Sequence, residues 1–429
     1  MTQAALEAYG AVRHERRLAD RALDAALRAK RHLYSNERRA VAERVYSLLR
    51  QQVPVDRLLA DLHLPVASES GGDVFRLATA RVRDGEAPAT VARDMALSSP
   101  QASALERIAA AEAAWTRLPD DERFALRASL PDFLARRVRA ELGDQADAFA
   151  DAMNQRAPLV ARVNTLKTDR DQLLSRLAQQ GMECHPTPLS PLGVVLDRRV
   201  NAFSLPAFKE GWFEIQDEGS QLLGLLVDAP PTLAVDACAG AGGKTLQLAA
   251  QMRNRGELHA WDIDAPRLDE LRRRARRAGA HNVRVRVIAA TGPLDPTLDA
   301  LAGRVDRVLV DAPCTGAGTF RRKPDARYRI GPDDVAQFAV RQRALLERHS
   351  AWVKPGGRLV YGTCSIFREE NESVVEGFLA DHPEFTVRSA AELLGSDLGP
   401  RVTRDGFLRV APHTHDTDGF FGAVLQRSR

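Results

Sequence analysis

Cysteine is scarce in this chain: its 429 residues hold four, Cys184, Cys238, Cys314 and Cys364. They are far apart and form no CxxC pair. That argues against a disulfide framework and a zinc site, and fits reduced thiols in a cytosol. The adjacent Cys184 and His185 have no second ligand pair, so no metal is expected. Long apolar runs are also missing, because Arg, Asp or Glu interrupts every apolar stretch. No basic-then-apolar segment opens the chain, so we expect neither secretion nor a membrane span, and a cytoplasmic protein. Net charge is small, +4 at neutral pH.

What is present is a composition of 44% hydrophobic and 28% charged residues, that of a soluble globular protein. The length is too great for one ordinary core and predicts two or three domains. Arginine is locally clustered, at Arg16-Arg17, Arg38-Arg39, Arg272-Arg273-Arg274, Arg276-Arg277 and Arg321-Arg322-Lys323. Basic patches suit a polyanion. The run from 272 to 277 lies mid-helix and reads as a solvated face. The run from 321 to 323 directly follows Cys314 and is expected to meet RNA.

Residues 1–143 read as an all-α domain. Val41, Val45, Leu48 and Leu49 form one apolar helical face, Leu23 and Leu27 repeat the spacing, and Ser35 or Asn36 is the expected cap. Prolines at 54, 65, 100, 119 and 131 punctuate the helices. Residues 144–230 read as a small α+β linker domain, with strands near 160–164, 193–196 and 212–215 and a helix from about 169 to 180. From 231 to 429, strands and helices alternate. Strands are expected at 233–236, ending at 262, at 283–288, at 308–311 and at 358–361. This pattern predicts an α/β fold with a mostly parallel, doubly wound, Rossmann-like sheet. Ligands of such sheets bind beyond the carboxyl ends of the strands. Cys238, Asp262, Asp311, Cys314 and Cys364 all fall there, so the topology gathers them at one rim despite separations of up to 126 residues.

Gly240, Gly242 and Gly243 make a turn that lets backbone approach a ligand, and the helix that follows offers N–H groups to an anion. Asp262, 19 residues after Gly243, suits ribose hydroxyls. The turn alone is compatible with NAD, FAD or S-adenosylmethionine. Asp311-Ala312-Pro313-Cys314 stands where amine-modifying methyltransferases carry prolines and an aromatic; a thiol there points to a ring carbon instead. C5 of cytosine is a poor nucleophile until a thiolate adds at C6, after which C5 attacks a methyl group and a base removes its proton. An ordinary thiol has a pKa of about 8.5, so positive potential is expected near the site. Asp311 is placed to hold the N3/N4 edge of the base. Cys184 and Cys238 read as small buried residues; which of Cys314 and Cys364 attacks is left open by these residues.

The C-terminal two-thirds resembles the RNA (cytosine-5) methyltransferases of the Fmu/Sun type. The resemblance rests on 162–167 (Arg-Val-Asn-Thr-Leu-Lys), 215–221, 236–245, 311–318 with 321–325, 361–366 with 369–372, and 412–421. The helical region resembles a NusB-type RNA-binding domain through Arg44 to Arg50 and Asp56, with Ser47 where glycine is usual. The combination is similar to family members acting on small-subunit 16S ribosomal RNA. The resemblance implies that Cys364 attacks C6 and that Cys314 helps release the product. It also implies that Asp262, Asp311 and the stretch Cys238, Ala239, Gly240, Ala241, Gly242, Gly243 and Lys244 bind S-adenosylmethionine. Gly240-Ala241 replaces a usual Ala-Pro, and Ala289-Ala290-Thr291-Gly292 stands where an acidic residue near the adenine is usual. The partner expected is RNA, ribosomal RNA first, with a transfer RNA methyltransferase and a catalytically weak ribosome-assembly protein as alternatives, and a monomer is expected.

Overall fold

Apolar residues at helical spacing in the N-terminal region each mark a helix in the computed structural model, which describes residues 1–67, 71–197, 201–291 and 296–429. In the helix Ser35–Arg50, Val41, Val45, Leu48 and Leu49 are all buried. Ser35 is the first helical residue and not the cap: Tyr34 precedes the helix, and its N–H donates to Glu37 Oε2 at 2.8 Å. Pro54 and Pro100 lie in first turns and Pro119 and Pro131 immediately precede helices, where a missing N–H costs nothing.

The chain folds as two compact units, residues 1–156 with 320–332, and residues 157–319 with 333–429. By type of structure, we retain as a proposal the threefold division at 143/144 and 230/231. The first unit is helical, and residues 320–332 belong to it, an allegiance the sequence did not announce. Arg327 is fully buried there and donates to Ala128 O (3.0 Å), Met153 O (2.7 Å) and Asn154 Oδ1 (2.7 Å). Tyr328 OH donates to Leu49 O at 2.8 Å. The RNA role expected of Arg321-Arg322-Lys323 is therefore corrected in part: Arg321 is 2% exposed, too buried to meet a phosphate.

The second unit holds two sheets. The smaller is antiparallel, in the order β2-β3-β1-β4, from β1 (Leu159–Val163), β2 (Cys184–Pro186), β3 (Gly193–Leu196) and β4 (Phe213–Ile215). Arg170–Gln179 is the expected helix, capped by Asp169, which accepts from Gln172 N–H at 2.8 Å. The larger sheet has a parallel core, β5 (Leu233–Asp236), β6 (Glu257–Asp262), β7 (Val283–Val287), β8 (Val305–Asp311) and β9 (Val353–Thr363), in the order β7-β6-β5-β8-β9. It continues beyond β9 with antiparallel strands: β10 (Phe385–Arg388) and β12 (Phe407–Val410) both pair β13 (Phe420–Arg427), β13 pairs β9, and β11 (Thr403–Arg404) forms the edge. The five parallel strands are those expected. The chain runs outward from β5 to β7 and then returns to β8 beside β5, so the strand order reverses between β5 and β8. Crevices open at such switch points, here between Asp236 and Asp311. No helix among the described residues is long and apolar enough to cross a membrane.

Candidate active site

The turn after β5 has the conformation its glycines permit. Gly240 and Gly242 have φ of +52° and +87°, and a Cβ on Gly242 would meet Leu271 at 2.7 Å. Two guanidinium groups hold the turn from behind. Arg274 Nη1 donates to Ala241 O at 2.7 Å, and Arg162 Nη1 donates to Gly243 O at 2.6 Å and also to Gln216 Oε1. With the carbonyls so engaged, the start of the helix Gly243–Gln251 faces open space: a Cβ on Gly243 would meet no atom within 4 Å.

The arginines are themselves held. Arg162 on β1 stands opposite Glu214 on β4, and the buried Glu214 accepts from Arg274 (3.0 Å) and Arg277 (2.5 Å). Burial lowers the Arg162 guanidinium to about 10. Arg272 and Arg273 pair instead with Asp269 and Glu270 on the same solvated helix face. The mid-helix arginine run thus divides between a surface role and support of the turn. Sequence reasoning missed Arg162 and Arg274 as site residues; the available signal was a lone charge in the apolar strand Leu159–Val163.

Asp262 ends β6, where its Oδ2 accepts from Gly240 N–H at 2.7 Å and its Oδ1 from Asp264 N–H at 2.9 Å. The helix cap is Asp264, which accepts from Arg267 N–H. Lys244 Nζ donates to Asp311 Oδ2 at 2.7 Å and stands 5.1 Å from the Phe420 ring centroid. Burial pushes the Asp236 carboxyl up to about 7, and Thr245 Oγ1 donates to it at 2.7 Å. Burial also drives the Cys238 thiol well up, with Asp236, Asp311 and Asp262 adding to the effect.

Cys314 and Cys364 are brought together: their Sγ atoms are 3.3 Å apart. The Cys314 thiol is raised well above its usual range, first by its hydrogen bond to Cys364 and then by burial, with the Glu370 charge adding. Positive potential is expected near the site, and the charge that acts on Cys314 is instead that of Glu370. Cys184 takes no part. Its thiol contacts Leu174 O, and His185 pairs with Asp197. Among the described residues no group of three ligating side chains could hold a metal. Thr291 is exposed, and Arg348 Nη1 donates to Ala289 O (2.8 Å) and Ala290 O (3.3 Å); Gly292 lies outside the described residues.

Residues 225–426 match the family described as 16S rRNA methyltransferase RsmB/F, and residues 130–202 match the ferredoxin-like domain of RsmF/B-like methyltransferases. The probable ribosomal RNA small subunit methyltransferase B of Synechocystis sp. is 32% identical to this chain, over 95% of both lengths. This chain belongs to the RsmB/F methyltransferase family. The crystal structure of PH0851 superposes with a TM-score of 0.82 at 27% identity, covering 99% of this chain and 98% of that one. A methyltransferase homolog from Pyrococcus horikoshii gives 0.60 at 31% identity, covering 72% of this chain and 99% of its own. The cofactor is S-adenosylmethionine. The site suits it: an open helix start with its carbonyls turned away fits a carboxylate, and Asp262 fits ribose hydroxyls.

Proposed function

We propose that this protein methylates C5 of a cytosine in 16S ribosomal RNA through a transient bond between Cys364 Sγ and C6. One observation carries the reading: two thiols meet at 3.3 Å on the rim that also bears the Lys244–Asp311 pair. When bound, S-adenosylmethionine supplies an electrophilic methyl group. The turn from Cys238 to Lys244, with Asp262, binds and orients it. Lys244 occupies Asp311 Oδ2, and Asp311 Oδ1 has no protein partner among the described residues. Asp311 is thus free to accept from the N3/N4 edge of cytosine and to favour a proton at N3 as charge develops there.

Cys364 attacks as its thiolate, having lost its proton to solvent. Its S–C6 bond places an electron pair at C5, which takes up the methyl group. Removal of the C5 proton restores the C5–C6 double bond and expels Cys364 as a thiolate, so methyl replaces hydrogen and one proton is released. Cys314, at 3.3 Å from the attacking sulfur, is placed to accept the C5 proton as a thiolate. A cytosine must leave its stack to reach this rim, at a cost of a few kcal/mol when paired and less in a loop.

Bisulfite mapping after incubation with the cofactor and naked 16S RNA, small subunits or transfer RNA tests the reading. A protected cytosine in the 16S RNA is expected. Protection confined to transfer RNA would move the assignment to that substrate, and cofactor binding with no protected cytosine in any RNA would favour an assembly role.

A further inference from the structure

Among the buried carboxylates to which the mechanism above gives no task, Glu370 lies nearest in sequence to Cys364. Glu370 is 0% exposed. It lies five residues after Ser365, in the turn that follows β9. Its carboxylate accepts four hydrogen bonds. Oε1 takes Thr315 N–H at 2.9 Å and Gln342 Nε2 at 3.0 Å; Oε2 takes Thr315 Oγ1 at 2.5 Å and Ser365 Oγ. Gln342 Nε2 also donates to Pro313 O at 3.0 Å. Among the described residues no cation pairs with this carboxylate. A buried carboxylate that relies on neutral donors alone is costly to maintain, and so points to a task.

The identity of the donors states the task. Thr315 directly follows Cys314 and Ser365 directly follows Cys364, so one carboxylate ties together the residues next to both thiols. The tie is reinforced on each side. Tyr361 OH donates to Glu370 O at 2.5 Å, Asn371 Nδ2 to Ser365 O at 3.2 Å, and Gly318 N–H to Cys364 O at 2.9 Å. The two loops come from β8 and β9, which are parallel neighbours, but strand pairing ends at Asp311 and Gly362. Beyond that point the loops are joined by Gly318 N–H to Cys364 O, by a direct contact of the Thr315 and Ser365 hydroxyls at 3.3 Å, and by the carboxylate that both hydroxyls share.

We propose that Glu370 is a positioning residue that fixes the spacing of Cys314 and Cys364, with Gln342 as its support. It does not reach substrate. Its effect falls on turnover, because misplacing a reacting atom by about 1 Å costs about a hundredfold in rate. The proposal rests on the two-thiol reading for its effect on turnover, whereas the spacing itself is measured without any methyl transfer.

The test uses the full-length protein with Glu370→Ala and Glu370→Gln, compared by melting temperature, cofactor affinity, turnover and diamide cross-linking. Diamide takes up two electrons and two protons as two thiols become a disulfide, and mass spectrometry of the linked peptides identifies the Cys314–Cys364 bond. The wild type should form that bond readily. In Glu370→Ala the cross-linking rate should fall at least about tenfold and kcat about a hundredfold, with KM for RNA and cofactor affinity unchanged. Glu370→Gln keeps the amide oxygen as an acceptor and should recover both rates to within about tenfold of wild type. Should Glu370→Ala fail to fold, Gln342→Leu replaces it and should slow cross-linking in the same sense. Undiminished cross-linking in a folded Glu370→Ala or Gln342→Leu protein overturns the proposal, whatever the turnover. If cross-linking falls as expected but the wild type methylates no cytosine, the functional reading fails and the positioning role stands.

Discussion

Cys314 Sγ and Cys364 Sγ are 3.3 Å apart, although the two residues are separated by 50 positions in the chain. The contact follows from topology: each cysteine sits just past the carboxyl end of one of two adjacent parallel strands, and the carboxylate of Glu370 accepts hydrogen bonds from both loops. The contact with Cys364, together with burial, raises the Cys314 thiol well above its usual range.

Asp236 makes stability depend on pH in an unusual direction. Burial raises its carboxyl to about 7 in the folded state, from 3.8. Between those values the folded protein holds a proton that the unfolded chain has released. The stabilising contribution is therefore full below pH ~4 and is lost towards pH ~7, by about 1.4 kcal/mol per unit. His349 works in the opposite sense. Burial lowers it to about 3 from 6.5, so its contribution is lost as pH falls below the unfolded value. The difference between wild type and Asp236→Asn isolates the first effect. In urea unfolding that difference should change steadily against the wild type as pH rises from about 4 to about 7; a constant difference contradicts it.

Arg162 and Arg274 engage carbonyls of the glycine turn proposed to bind the cofactor. Arg162→Met or Arg274→Met should raise the dissociation constant for S-adenosylmethionine about tenfold, a change of about 1.4 kcal/mol, as read by calorimetry. An unchanged constant in a folded variant would mean that the turn holds its shape unaided.

Much of the site was legible because parallel strands buried on both faces read as short apolar runs, and the residues that follow them share one rim. Leu233 to Asp236 and Arg358 to Tyr361 are such runs, and the glycines after the first marked the turn. The supports were not legible. Arg162 and Glu370 lie in segments that carry the family resemblance, but their contacts do not show there: Arg162 reaches Gly243 from another sheet, 81 positions away, and Glu370 meets Thr315, 55 positions away. Neither contact leaves a local pattern. The same holds for residues 320–332, where Arg321-Arg322-Lys323 read as an RNA patch and Arg321 proves buried. The antiparallel strands β10 to β13 also went unread: β10 to β12 are short, and β13 is buried on both faces over most of its length and so shows no alternation.

Arg327 is the main anchor of that inserted segment within the helical unit. Arg327→Met leaves three oxygen acceptors without a charged donor and should cost about 3 kcal/mol in urea unfolding. A loss below about 1 kcal/mol would show that water or neighbouring donors replace the guanidinium.

The most direct measurement of the two-thiol account is a denaturing gel of Cys314→Ala after incubation with S-adenosylmethionine and 16S RNA. The account predicts a protein–RNA adduct that survives denaturation and disappears when Cys364→Ala is added. Absence of that adduct, in a protein whose Cys364 still reacts with iodoacetamide, would contradict it.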